Sequence, residues 1–290
     1  MTVEAYAKVN LTLEVLGRRT DGYHALRSLV VPISLSDTLD IDATDDGELT
    51  SDSPYPDDLC LKAARALRAA APGGVAARLG ARIHAVKRIP AGGGLGGGSA
   101  DAAATLRALN GLWGLGMERE ALAGIGATVG SDVPALVLGG AVLMEGRGEL
   151  TTPFPEMPVL HLVLANPGVF TSTKAVYDAW SRASAGETAA RPPNSGEIWY
   201  NMRAALRSGD LKAIGAAMVN DLAAPAAGLH PEIAETMEAL RLCGAEAVSM
   251  TGSGSTAFGL VPDEARGRET AALLEAKGLR AWSVRTCPVM

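Results

Sequence analysis

The chain has 290 residues, enough for one large domain or two ordinary ones, and its 48% hydrophobic and 20% charged content is that of a core-forming globular protein. A net charge of −6 excludes a broad nucleic-acid surface, yet allows a small anion held by a few cations and backbone N–H groups. Aromatics make up only 4%, the three cysteines (Cys60, Cys243 and Cys287) form no C-x-x-C pair, and no secretory or membrane-spanning run is visible, so the expectation is a reduced cytoplasmic protein without a membrane or nucleic-acid partner.

Val3–Leu16 alternates as two short strands or one bent strand, and Asp21-Gly22 in "GRRTDGYH" marks a turn. "LRSLVVPISLSDTLDIDA" reads as strands broken by Pro32 and by Ser36-Asp37. "PDDLCLKAARALRAAA" is a helix opened by Asp57 and Asp58 and ended by Pro72-Gly73-Gly74. "GARIHAVKRIP" alternates as a strand that leads into a glycine run. Helices are expected from Ser99 to about Leu112 and near Glu118–Val129, then a short helix and a strand pair in "SDVPALVLGGAVLMEGRGE". "PVLHLVLANPG" is another strand. Residues 185–197, rich in Gly, Pro and polar side chains, read as the most mobile stretch. The last third carries helices near 209–220, 231–242 and 263–277, with strands near 245–250, 256–261 and 279–287. Helices and strands in this uneven order give an α+β fold of two lobes, 1–155 and 156–290.

"PAGGGLGGGSADAAATL" joins glycine, which loses most conformational freedom on folding, to alanine, the best helix former. Glycines at a helix entrance let backbone N–H groups approach a ligand, and the helix adds its own unsatisfied N–H groups and positive dipole end. The combination describes a phosphate site. Ser99 is placed to cap the helix or to offer its hydroxyl to phosphate or metal. A flexible linker does not fit between an alternating strand and an Ala-Leu helix. The G-x-G-x-x-G match of Gly92, Gly94 and Gly97 lacks the acidic ribose partner of a dinucleotide site, and no Lys-Ser or Lys-Thr follows as in a P-loop. Elsewhere, Gly252 and Gly254 alternate with Ser253 and Ser255 in "SMTGSGSTAFGL", which by itself is equally an ordinary tight turn. Lys8 and Asn10 fall on one side of a strand, a pattern that alone describes a solvated face.

Taken together, "AYAKVNLTLEVLGRRTDGYH", "PAGGGLGGGSADAA" and "MTGSGSTAFGL" resemble, in order, the three motifs of the GHMP kinases, the galactokinase, homoserine, mevalonate and phosphomevalonate kinase superfamily. The resemblance runs over nearly the whole chain. It implies an N-terminal lobe like ribosomal protein S5 domain 2, a ferredoxin-like C-terminal lobe, and a site between them. It further implies an ATP-dependent small-molecule kinase using Mg²⁺, and the D-G-Y-H segment is similar to the branch acting on the 2-hydroxyl of a cytidyl-linked methylerythritol in the non-mevalonate isoprenoid route. ATP phosphates would be held by Pro90, Ala91, Gly92, Gly93, Gly94, Leu95, Gly96, Gly97, Gly98, Ser99 and Ala100.

Lys8 and Asp132, the latter in "GSDVP", match the family's catalytic pair: Asp132 would accept or orient the proton of the attacking hydroxyl, and Lys8 would stabilise charge on the transferring group. On spacing alone Asp132 reads as a helix N-cap. Tyr23 and His24 would read the cytosine, Asn10 the erythritol hydroxyls, and Thr173 and Tyr177 would close the substrate pocket. No residue is singled out for Mg²⁺. The family often carries a large aromatic in the stretch that here reads Val30-Val31, so stacking on the base falls to Tyr23 and Tyr177. The phosphates call for local cations, with Lys8, Arg18, Arg19, Lys87, Arg88, Arg147 and Lys174 near the motifs.

Overall fold

Alternation in the first half produces two long strands instead of several short ones. In the computed structural model, which describes residues 1–53, 58–184 and 195–287, β1 (Thr2–Arg18) and β2 (His24–Thr44) pair antiparallel across the expected turn. Pro32 does not break β2. It faces Lys8 where the register shifts between Tyr6 and Lys8, so its missing N–H falls at an irregularity, while its carbonyl accepts from the Cys287 N–H at 2.8 Å. Ser36-Asp37 is no turn either: Asp37 is fully buried and its Oδ1 accepts from the backbone N–H groups of Arg88 and Ile89.

The first half continues with β3 (Leu49–Ser51), α1 (Leu59–Ala70), β4 (Gly80–Val86), α2 (Gly97–Leu112), α3 (Arg119–Gly126), α4 (Val133–Leu138), β5 (Val142–Gly146) and β6 (Leu150–Pro153). Asp58 caps α1, accepting from the N–H groups of Cys60 and Leu61; Asp57 lies outside the described residues. The second half holds β7 (His161–Asn166), α5 (Thr173–Ser184), α6 (Ser195–Ser208), α7 (Leu211–Ala217), β8 (Val219–Asn220), α8 (Ala223–Leu229), α9 (Pro231–Leu242), β9 (Ala247–Met250), β10 (Ala257–Val261), α10 (Glu264–Glu275) and β11 (Arg280–Arg285). Most of the mobile stretch expected at 185–197 lies outside the described residues, but 195–197 form the first turn of α6.

The strands make a seven-stranded sheet, β3-β4-β2-β1-β8 with β5 beside β2 and β6 beside β5, and a four-stranded sheet, β11-β7-β10-β9. This is the expected two-lobed α+β arrangement. The lobes exchange chain, however. The helix expected to reach residue 220 stops at Ala217, and Val219–Asn220 instead pairs parallel with Thr12 and Leu13 of β1. In return, Thr286 bridges to Ile33 of β2 just beyond β11. A core cluster runs through both halves, from Val9 and Leu11 of β1 to Leu162, Phe258 and Val284.

A second cluster explains the alanine-rich stretch. The alanines at 100, 102, 103, 104 and 108 are all buried, so α2 lies close against α1 and the backs of β1 and β2. With few aromatics to fill space, small side chains let the helix approach the sheet closely. The N-terminus of α2 is thereby fixed at the junction of the lobes. Among the described residues no helix is long and apolar enough to cross a membrane.

Candidate active site

The glycine run does more than uncover its own backbone. Gly94, at φ +76°, lies so close to the 251–254 loop that a Cβ there would stand 2.2 Å from the Thr251 carbonyl oxygen. Two hydrogen bonds stitch the segments together: Thr256 N–H to Gly93 O at 3.1 Å and Thr251 Oγ1 to Gly94 O at 3.3 Å. The second and third motifs are therefore in backbone contact. Gly96, at φ +69°, is the N-cap of α2 and carries no side chain, so the helix begins two residues before the expected Ser99. Ser99 is its third residue and not its cap. The N–H groups of Gly97, Gly98 and Ser99 precede the first intrahelical bond, Ala100 N to Gly96 O at 2.8 Å.

These elements line a cleft of about 990 Å³. Every residue from Pro90 to Ser99 contributes to its wall, whereas Ala100 faces the core. Lys8, Asn10, Tyr23, His24, Asp132, Thr173 and Tyr177 line the same cleft, although they come from β1, the β1–β2 turn, the start of β2, α5 and the start of α4. Val30 and Val31 are core residues and do not line it.

Lys8 and Asn10 are not on a solvated face: they are 2% and 3% exposed. Lys8 Nζ donates to Asn10 Oδ1 at 2.7 Å and lies 3.6 Å from Asp132 Oδ2. Asn10 Oδ1 also accepts from Thr251 Oγ1 at 3.1 Å and from the Gly252 N–H at 2.9 Å, while its Nδ2 donates to Ser28 Oγ at 2.7 Å. Asn10 is thus a fixed bracket for the ammonium and for the 251–252 backbone. Thr251 and Ser28 were not marked out by the sequence; the small-residue loop around Thr251 was the available signal.

Asp132 occupies the N-cap position of α4 by backbone, but its carboxylate caps nothing. Pro134 in the first turn brings no N–H to be capped. The carboxylate faces Lys8 instead, so the capping reading fails on geometry. The far end of α4 is held by Arg107, whose Nη1 donates to Leu136 O at 2.6 Å; burial and the Arg119 charge hold its guanidinium down at about 10.

At the other end, His24 is held against α5. Its ring stacks on Tyr177 with centroids 5.0 Å apart, meets Trp180 edge-on at 5.6 Å, and Nε2 pairs with Ser181 Oγ at 2.8 Å. Burial, then the Arg18 charge, hold the imidazole below its ordinary value against the opposing pull of Asp178, which favours the neutral ring. Burial and the Asp132 charge push the Tyr177 phenol up, keeping it protonated. Tyr23 is 58% exposed at the rim, with the Arg147 guanidinium 5.0 Å from its ring centre. Thr173 Oγ1 meets Ser253 Oγ at 3.0 Å, tying α5 to the serine-glycine loop.

Beneath the helix entrance, Lys87 binds Asp37 and Asp101 together. Burial pushes the Asp101 carboxyl up to about 6 although Lys87 draws it down, and its Oδ1 has no hydrogen-bond partner. Neighbouring Cys60 is pushed up to about 12 by burial and by the Asp101 charge, so its thiol is inert at neutral pH.

Residues 58–140 match the model of the GHMP kinases N terminal domain and 202–278 that of the GHMP kinases C terminal region. The chain is 42% identical over 282 residues, 95% of each sequence, to a 4-diphosphocytidyl-2-C-methyl-D-erythritol kinase of Moorella thermoacetica. It is 39% identical over 293 residues, 99% of each sequence, to the protein of that name from Symbiobacterium thermophilum. A crystal structure of 4-(cytidine 5'-diphospho)-2C-methyl-D-erythritol kinase superposes with a TM-score of 0.81 at 36% identity, covering 99% of both chains.

Proposed function

The chain belongs to the GHMP kinases, and from that membership we propose that it transfers the γ-phosphoryl group of ATP to the 2-hydroxyl of 4-diphosphocytidyl-2-C-methyl-D-erythritol. The observation that carries the reading is the Lys8–Asp132 pair, 3.6 Å apart in the cleft formed at the uncapped entrance of α2. Full-length identity near 40% to two kinases of that name supports the choice of acceptor.

Phosphoryl transfer needs positioning and charge stabilisation more than covalent chemistry. The loop from Pro90 to Ser99 and the free N–H groups at the start of α2 would hold the ATP phosphates. The acceptor oxygen attacks the γ-phosphorus, the bond to the β–γ bridging oxygen breaks, and ADP leaves. Asp132 would orient the acceptor hydroxyl and receive its proton. Lys8, fixed by Asn10, would stabilise the negative charge on the attacking and transferring oxygens. Tyr23, His24 and Tyr177 would take the cytosine, and Thr173 would close the pocket over the methylerythritol. Asn10 then acts through Lys8.

No group of three or more His, Cys, Asp or Glu among the described residues forms a protein-only metal cage. Mg²⁺ needs no such cage, because it is commonly held by substrate phosphates and one or two protein oxygens. Asp132 and the Ser99 hydroxyl are the cleft donors that would hold it, and when bound it neutralises phosphate charge. We take 1–155 and 156–290 as the two lobes and, given free thiols at Cys60, Cys243 and Cys287, a reducing cytoplasmic setting.

The test is ADP release with the diphosphocytidyl substrate, with mevalonate and homoserine as controls. Turnover of the cytidyl compound alone is expected, and Asp132→Asn or Lys8→Ala should lower kcat by roughly 10²–10⁴ with ATP binding retained. Turnover of a control in its place overturns the assignment.

A further inference from the structure

Three asparagines from three different elements hold the small-residue loop between β9 and β10. Asn10 of β1 binds its middle, accepting from Thr251 Oγ1 and from the Gly252 N–H. The other two grip its flanks. Asn220, the last residue of β8, donates from Nδ2 to Met250 O at 2.6 Å and to Gly252 O at 3.0 Å. Asn166, the last residue of β7 and 4% exposed, donates from Nδ2 to Thr256 Oγ1 at 2.9 Å and to Ser255 Oγ at 3.4 Å.

The partners fix the polarity of both carboxamides. Asn220 Oδ1 accepts from the Leu222 N–H at 2.9 Å and Asn166 Oδ1 from the Gly168 N–H at 2.8 Å, so each Nδ2 faces the loop. Two carbonyls meet Asn220 and need a donor. At Asn166, the Ser255 hydroxyl has already given its proton to Val169 O. A carboxylate or a hydrocarbon of the same outline would leave these acceptors unmatched.

The two residues are anchored to different frameworks. Asn220 pairs with Leu13 of β1, and beside it Asp221 takes the Val15 N–H while giving its own to Leu13 O. The 250–252 backbone is thereby tied to the strand that carries Lys8. Gly252 stands against that lysine, since a Cβ there would come 3.2 Å from Lys8 Nζ. Asn166 reaches the other side. The Thr256 that it grips donates its N–H to Gly93 O at 3.1 Å, and a Cβ on Gly93 would stand 2.8 Å from Thr256 Oγ1 and 3.0 Å from Asn166 Nδ2. In the connection that follows β7, Thr171 Oγ1 adds a bond to Gly92 O at 3.3 Å. The glycine loop thus rests on β7 through Asn166, and the backbone beside Lys8 rests on β8 through Asn220.

We propose that Asn166 and Asn220 are positioning residues for phosphoryl transfer: Asn166 shapes the glycine loop that receives the ATP phosphates, and Asn220 sets the Gly252 backbone that holds Lys8 at the reacting centre. The proposal rests on the kinase reading given above.

Asn220→Asp keeps the acceptor for Leu222 and replaces only the donor. Asn166→Leu removes the polar atoms within the same outline. Asn220→Ala and Thr256→Val cut the same two links in a different way. Leu274→Ala opens a cavity in the core under α10, outside the cleft wall, and is the control for lost stability alone. Calorimetry with a non-hydrolysable ATP analogue gives its affinity and counts competent sites, and ADP release gives KM and kcat per site. Asn166→Leu and Thr256→Val should weaken analogue binding and raise the KM for ATP about ten-fold, with kcat within about three-fold of wild type. Asn220→Asp and Asn220→Ala should lower kcat about 10–100-fold, with analogue affinity nearly unchanged. Leu274→Ala should melt lower and keep both constants. Variants at either asparagine that behave like Leu274→Ala show a purely structural role and overturn its half of the proposal. KM and kcat moving together in either pair, or in the reverse assignment, overturn the division between the two residues. The kinase reading fails separately, by a wild type that releases no ADP with the diphosphocytidyl substrate.

Discussion

Gly94→Ala and Gly96→Ala are the same substitution two residues apart, at nearly the same left-handed φ, yet the structure gives them different consequences. Both place Ala where φ is positive, at a cost of about 1–2 kcal/mol. At Gly96 the new Cβ meets Lys8 Cγ and Cε at 3.1 Å and Asp132 Oδ2 at 3.6 Å. These are side-chain atoms and not backbone, and they need give by only a few tenths of an ångström, so the fold tolerates the change and the proposed catalytic pair absorbs it. At about 2–4 °C per kcal/mol, the melting temperature should fall by roughly 2–8 °C. Displacing Lys8 and Asp132 should lower kcat about 10–100-fold.

At Gly94 the new Cβ meets the Thr251 carbonyl at 2.2 Å and the Gly254 carbonyl at 3.0 Å. No rotamer relieves a clash with backbone, so the loops must separate. Losing the Thr251–Gly94 and Thr256–Gly93 hydrogen bonds adds about 1 kcal/mol each, and overpacking another 1–3 kcal/mol. The sum, about 4–7 kcal/mol, should lower the melting temperature by roughly 8–28 °C. Thermal unfolding and ADP-release kinetics on both variants separate the cases. A Gly96→Ala enzyme with wild-type kcat, or a Gly94→Ala protein melting alongside it, refutes the reasoning.

Asn10→Ala removes the acceptor shared by Lys8, Thr251 and the Gly252 N–H, all buried, and should destabilise by about 2–5 kcal/mol in denaturant unfolding; a loss under about 1 kcal/mol contradicts the bracket role. Asp101 has its folded pKa raised to about 6 by burial, so the neutral form is favoured in the native state. Its contribution is full below the unfolded value near 4 and is lost as pH rises through about 6. Asp101→Asn does not ionise, so its melting temperature relative to wild type should climb by several degrees between pH 4.5 and 7.5; a constant difference counts against this. His24 should titrate below about 6.5 in an imidazole NMR titration, because burial and Arg18 favour the neutral ring, and Arg18→Gln should move the midpoint upward. A wild-type midpoint at or above that value, or one that Arg18→Gln leaves in place, contradicts the environment described.

By itself the sequence determined the local pieces. Glycine running into alanine marked a helix entrance open to an anion, because that contrast is written in residue types and needs no partner. Alternation put Lys8 and Asn10 on one side of β1, and periodicity found α1, α9 and α10 within a few residues. Signals of this kind act over a turn or a strand, so they fade where distant segments decide. The register irregularity that lets Pro32 stay within β2, and the two-residue β8 that pairs with β1, have no periodicity of their own. The role of Asp132 was ambiguous for the same reason: spacing favours a cap, and only the fold turns its carboxylate away from α4 and toward Lys8. The tertiary structure likewise decided that Gly94 is glycine because another loop's backbone lies against it. It also left Arg147 without a carboxylate partner among the described residues, since Arg19 draws both nearby acids to itself. Close packing and charge pairing are settled between segments remote in the chain, and a single sequence read along its length does not contain those distances.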